Sequence, residues 1–199
     1  MILKPGGLPS ISKLWEDTLR DIKNELPIEI ETEMLEIDYA GFRLIRHPLE
    51  FDVIVAPNMF GDIISDLGGI LLGARGLCFS GCFGSLHKSV YNTGHGAAYD
   101  IAGQNVANPL AHLCCLTMAL RVTYGRTDLA DLIDNAISET LADGYRTKDI
   151  AVSPASTTLG TREMGEQIVK RIENHRPQPT ISLRQAYSTQ PDGVPGALY

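Results

Sequence analysis

Asp62 and Asp66 stand four residues apart in Asn58-Met59-Phe60-Gly61-Asp62-Ile63-Ile64-Ser65-Asp66-Leu67-Gly68-Gly69. On a helix that spacing sets both carboxylates on one face. Like charges held so close repel unless a cation lies between them, and hard divalent cations take carboxylate oxygens as ligands. The pair points to a Mg²⁺ or Mn²⁺ site. The bland alternative is two solvated aspartates in the early turns of a helix, favoured there by its dipole. A second stretch, Gly94-His95-Gly96-Ala97-Ala98-Tyr99-Asp100-Ile101-Ala102-Gly103-Gln104-Asn105-Val106-Ala107-Asn108-Pro109, is a loop of small residues that runs into an apolar helix. Taken alone, a histidine beside glycines reads as structural.

The elements that position these residues alternate between helical and extended patterns. Ser10 caps a helix to about Glu25, with Leu14, Trp15, Leu19 and Ile22 on one face. Residues 28–34 alternate apolar and acidic, which predicts a strand with one wet face. Helical periodicity over 38–47 ends at Pro48. The β-branched run 51–56 reads as a buried strand that feeds a helix over 60–72. Residues 73–84 are rich in glycine and read as irregular, and Val90 opens a short extended piece. Pro109 is well placed for the first turn of a helix to about Tyr124, and helices follow at 127–143 and 160–174. This alternation predicts an α/β fold over residues 1–175. The segment 176–199, with prolines at 177, 179, 191 and 195, reads as a mobile tail.

Composition narrows the partners. With 17 basic and 24 acidic residues the net charge is −7, which argues against nucleic acid or an anionic membrane as partner. No run approaches the roughly 18 apolar residues of a membrane span, and the opening residues lack the basic start and apolar core of a signal peptide. The four cysteines read as reduced thiols, which places the chain in the cytoplasm. Cys78 and Cys82 have metal-pair spacing, but no second pair accompanies them.

In order and spacing, the two opening stretches resemble the β-decarboxylating dehydrogenases, among them the isopropylmalate, isocitrate, homoisocitrate and tartrate enzymes. Gly144-Tyr145-Arg146-Thr147-Lys148-Asp149 and Gly160-Thr161-Arg162-Glu163-Met164-Gly165 fit as well. The resemblance runs from about residue 4 to residue 174 and covers only the C-terminal half of such an enzyme. It implies a truncated isopropylmalate-dehydrogenase-like fold: a central sheet flanked by helices, with the helices at 38–47 and 60–72 forming a dimer interface. Phe42, Leu44, Ile45, Ile63, Ile64, Leu67, Ile70 and Leu71 on those helices give more apolar surface than one thin sheet needs, so a homodimer is expected.

The resemblance also assigns roles. Asp62 and Asp66 match two metal ligands of one subunit, and Asp38 matches the ligand donated by the partner. Lys4 is the best match for the catalytic lysine, although Gly6 stands where an asparagine is usual. The two residues expected to be catalytic are Lys4 and Asp38. Their bland readings are a solvated lysine and a helix N-cap. His95 and Gly96 would lie against adenine, and Asn108 would bond its edge. Asp100 would meet the ribose, favouring NAD over NADP because a carboxylate repels a 2′-phosphate. The loop also reads as one kept only for packing against the helix that follows. Arg43, Arg46, Arg75 and Arg146 do not match the family's substrate arginines, and no tyrosine matches its catalytic acid.

The first expectation for function is therefore a repurposed enzyme. A dimer cleft on the shortened scaffold would catalyse a non-redox step (cyclisation, isomerisation or a lyase reaction) on a small molecule, with no cofactor. One alternative is an NAD- and Mg²⁺- or Mn²⁺-dependent dehydrogenase of a small 2-hydroxy acid. Another is a non-catalytic partner subunit of a longer relative.

Overall fold

The computed structural model describes residues 2–4 (as backbone), 9–85 and 88–175. The expected tail at 176–199 lies outside these residues. In chain order the elements are β1 (Ile2–Lys4), α1 (Pro9–Glu25), β2 (Met34–Glu36), α2 (Ile37–Arg46), α3 (Asn58–Leu72), β3 (Phe79–Phe83) and β4 (Ser89–Thr93). They are followed by α4 (Leu110–Val122), α5 (Thr127–Ala142), β5 (Tyr145–Arg146), β6 (Thr157–Thr158) and α6 (Thr161–His175). The fold is mixed α/β and mostly helical.

The expected single central sheet is not what these residues build. Three two-stranded sheets take its place: β1 parallel to β2, β3 antiparallel to β4, and β5 parallel to β6. The run 51–56, the strongest strand pattern in the sequence, forms only an isolated bridge at Val55. A buried strand needs cover on both faces, yet Val53 and Val55 are exposed at 67% and 48%. Of the expected strand at 28–34 only Met34 is in a strand, where it opens β2 (Met34–Glu36). Conversely, the glycine-rich stretch expected to be irregular contains β3, paired over five residues with β4.

Two clusters hold the molecule together. Leu35, Ala40, Leu44 and Ile64 form one, with Phe51, Ile54, Phe60 and Leu67 packed around it. Here α2 crosses α3 closely because Gly41 has no side chain. A Cβ there would come within 2.9 Å of Leu67 Cδ1. Gly73, at φ 95°, ends α3 in the left-handed conformation that glycine adopts without strain. The second cluster joins α4, α5 and α6 through Leu110, Ala136, Ile137, Met164 and Ile168. Burial decides the energetics. Each of the larger side chains contributes about 1.5–3 kcal/mol, against about 0–1 for an exposed ion pair such as Arg121 with Asp131 at 2.8 Å.

α1 belongs to neither cluster. None of its residues is buried. Its apolar face forms one wall of a cleft of about 1090 Å³ whose other wall is residues 30–33 and 50–55. On the outer side of α2 and α3, Tyr39, Phe42, Ile63 and Ile70 are all exposed, and Tyr39 stacks on Phe42 with ring centroids 6.3 Å apart.

Candidate functional site

α3 carries Asp62 and Asp66 on one exposed face, as their spacing requires. Asp66 is ion-paired with Arg75 at 3.0 Å. Asp38 sits in the first turn of α2, where its carboxylate accepts the Tyr39 amide at 2.8 Å. Lys4 is placed through its backbone, opposite Glu36 in the β1–β2 register and thus two residues before Asp38. Among the described residues no three His, Cys, Asp or Glu side chains converge as a metal centre. One chain therefore offers the Asp62/Asp66 pair without a third ligand. The donor chemistry suits a hard cation, but a complete ligand set needs a carboxylate from elsewhere, such as Asp38 of a second copy.

The loop after β4 is fixed from both sides. The Gly94 amide donates to the Cys78 carbonyl at 2.8 Å, and a Cβ on Gly94 would come within 3.0 Å of Cys78 Cβ. His95, half-buried, holds Nδ1 2.9 Å from the Gly96 carbonyl. Gly96 has open space where a side chain would be, so a planar ring can approach its backbone. The Asp100 side chain is exposed, while its carbonyl accepts from Gln104 Nε2 at 2.6 Å. Gly96 and Asp100 are exposed and His95 is half exposed beside them.

Asn108 is more committed than expected. Its Oδ1 accepts the Leu110 amide at 2.9 Å, capping α4, and its Nδ2 donates to Asp149 Oδ2 at 3.1 Å. Asp149 is steadied in turn by Thr147, whose hydroxyl donates to Oδ1 at 2.6 Å. One amide hydrogen of Asn108 remains for a ligand. A Cβ on Gly76 would strike Asp149 Oδ2 at 2.6 Å and Asn108 Cβ at 2.8 Å, so a residue without a side chain is required there.

Sequence reasoning gave no role to Asn105, Asp149, Thr161 or Glu163. All four lie in stretches already singled out, but their partners are remote in sequence. Asn105 bonds to Arg162 and to Glu163, and the Thr161 hydroxyl donates to the Ala107 carbonyl at 2.5 Å. The Glu163 carboxyl is held below the usual glutamate range by backbone N–H donors and then by the Asn105 amide.

Arg43 and Arg146 are occupied. Arg43 donates to Glu33 and Glu50, each at 2.7 Å, and lies over the Phe51 ring. Both carboxylates keep it charged, and neither of its amino groups is left to clamp a substrate. Arg146 donates to the carbonyls of Leu141 and Tyr145. Burial pushes the Cys114 thiol up to about 11, which keeps it protonated and unreactive.

The chain is thus a mostly helical α/β fold with an aspartate pair on one helix and a braced small-residue loop ahead of another. The chain belongs to the isocitrate/isopropylmalate dehydrogenase family, whose model matches residues 8–168. It is 43% identical over 160 residues to a 3-isopropylmalate dehydrogenase of Cupriavidus metallidurans, covering 80% of this chain and 44% of that one. With the enzyme of the same name from Wolinella succinogenes it shares 46% over 158 residues, covering 79% of this chain and again 44% of that one. Among solved structures, isocitrate dehydrogenase from Methylococcus capsulatus superposes with a TM-score of 0.78 at 34% identity, covering 86% of this chain and 49% of that one. The TT0538 protein from Thermus thermophilus gives 0.77 at 31% identity, covering 90% and 35%. The chain thus spans less than half the length of the two 3-isopropylmalate dehydrogenases. Among its described residues no helix is long and apolar enough to cross a membrane.

Proposed function

We propose that this chain is the nucleotide- and metal-binding half of a 3-isopropylmalate-type dehydrogenase, acting in the cytoplasm on a small 2-hydroxy acid. The observation that carries the reading is the 94–109 loop, which presents His95, Gly96 and Asp100 and is braced at Asn105 and Asn108 by bonds with Asp149, Arg162 and Glu163. Identity above 40% to two 3-isopropylmalate dehydrogenases supports it. In this reading the loop takes the adenosine of NAD, and Asp100 disfavours the 2′-phosphate of NADP. Asp62 and Asp66, with Asp38 of a second copy, hold the cation. Bound there, a divalent ion supplies a Lewis acid for a hydroxyl and for developing enolate charge. Lys4 assists removal of the hydroxyl proton. The exposed aromatic and aliphatic faces of α2 and α3 support the homodimer this sharing needs. Arg43 and Arg146 do not form the carboxylate clamp in this reading, since both are already engaged.

Calorimetric titration with NAD, with and without Mn²⁺, tests the reading. Saturable NAD binding, much weaker with NADP, is the expected result. Absence of heat at millimolar NAD would sink it.

The α1 cleft favours a second reading. It is lined by Leu14, Trp15, Leu19, Ile22, Phe51 and Val53, among others, and its size matches pockets that enclose drug-sized ligands. A repurposed enzyme would use it for a non-redox step (cyclisation, isomerisation or lyase chemistry) on a larger apolar substrate. That enzyme would bind neither NAD nor metal, so the same titration separates the two.

A further inference from the structure

α6 has no N-cap side chain, although the Glu163 carboxylate in its first turn accepts the Gly160 and Glu163 amides. The residue before Thr161 is Gly160, and the first amides of any helix lack partners within it. The first two are satisfied from far away in sequence. The Thr161 amide donates to the Asn105 carbonyl at 3.0 Å, and the Arg162 amide donates to Asn105 Oδ1 at 2.9 Å. The second bond is the one an N-cap asparagine normally makes to its own helix. Asn105 makes it across 57 residues. Its Nδ2 also donates to Glu163 Oε2 at 2.9 Å, so the side chain is used at both ends. Two further features belong to the same fitting. Asn105 sits at φ 58°, a left-handed conformation that asparagine tolerates better than most residues. A Cβ at Gly160 would run into the Asn105 carbonyl and amide and into Glu163, so only glycine admits the asparagine.

We propose that Asn105 caps α6 in place of the missing N-cap side chain, and that this remote cap fixes the 94–109 loop. Asn105 is thus a positioning residue. Resting on the nucleotide reading above, the inference adds that loop and helix report on each other. Ordering the loop protects the first turn of α6, and loosening that turn weakens NAD binding, because coupling between two sites is reciprocal.

Asn105→Gly tests this without straining the backbone, since glycine accepts a positive φ and loses only the capping side chain. The readouts are amide exchange by mass spectrometry over 94–107 and 160–166, and NAD affinity. Exchange in both segments should rise, and NAD should bind about 5-fold more weakly, as loss of one cap implies. Asn105→Asp combined with Glu163→Gln keeps the cap oxygen and lets the glutamine amide donate to it, so protection at 160–166 should return, whereas a generally destabilised loop would not recover. Glu163→Gln keeps an acceptor for the Asn105 amide and should behave like the unaltered chain. Unchanged exchange in Asn105→Gly overturns the proposal, as does faster exchange at 160–166 with the 94–107 segment still protected. If the unaltered chain binds no NAD but both segments respond, the cap stands and the nucleotide reading falls.

Discussion

Asp62→Asn should abolish Mn²⁺ binding while leaving the fold intact. Asp62 is exposed on α3, and asparagine has nearly the same shape, so the thermal midpoint should barely move. What changes is charge. The amide of asparagine is a far weaker ligand for a hard cation than a carboxylate. The affinity loss should exceed about 100-fold, since removing even the outer-shell partners of metal ligands costs up to about that much. Mn²⁺ titration followed by electron paramagnetic resonance reads the effect directly. Any metal-dependent turnover should disappear with it. An isotherm matching that of the unaltered chain would remove Asp62 from the metal site and the metal from the proposed reaction.

Met164→Ala should cost stability on the order of 3 kcal/mol, within the range measured when large buried side chains are cut back to alanine. Met164 is wholly inaccessible and packs in the cluster of Leu110, Ile137 and Ile168, where three helices meet. Its removal leaves a cavity that the backbones of α4, α5 and α6 can close only in part. Urea unfolding monitored by circular dichroism gives the value, with Val169→Ala as control. Val169 lies on the same helix but is 52% exposed, so its truncation should change stability by no more than about 0.5 kcal/mol. A Met164→Ala loss below about 1 kcal/mol would mean that the cluster is looser than its burial indicates.

Helices were legible in the sequence and sheets were not, for a physical reason. A helix satisfies its own backbone, so periodicity and punctuation locate it. Pro27, Pro48 and Pro109 bracket elements close to where the structure ends or starts them. A strand exists only beside a partner. Phe51–Ala56 has the composition of a strand, yet the described residues give it one bridge at Val55. β3, interrupted by Gly81, has the composition of a loop yet pairs in full with β4. The same distinction applies to the site. The Asp62/Asp66 pair was readable because its geometry is local to one helix. Asn105 was not, since its partners Arg162 and Glu163 are 57 and 58 residues away. On the sequence a non-redox reaction stands first and an NAD-dependent one second; the braced loop is what supports NAD in the proposed reading.

The two hydrophobic clusters share no residue. One is built from β2, α2 and α3 and underlies all three aspartates. The other joins α4, α5 and α6 and anchors the loop through Asn105 and Asn108. Cores separated in this way open as distinct cooperative units, each at its own free energy. A ligand that binds only the intact form of one unit stabilises that unit by mass action and leaves the other where it was. In the proposed reading nucleotide and metal ion would then act on different transitions of a single melt. Gentle warming would strip the chain of one of those proposed affinities while the other persists.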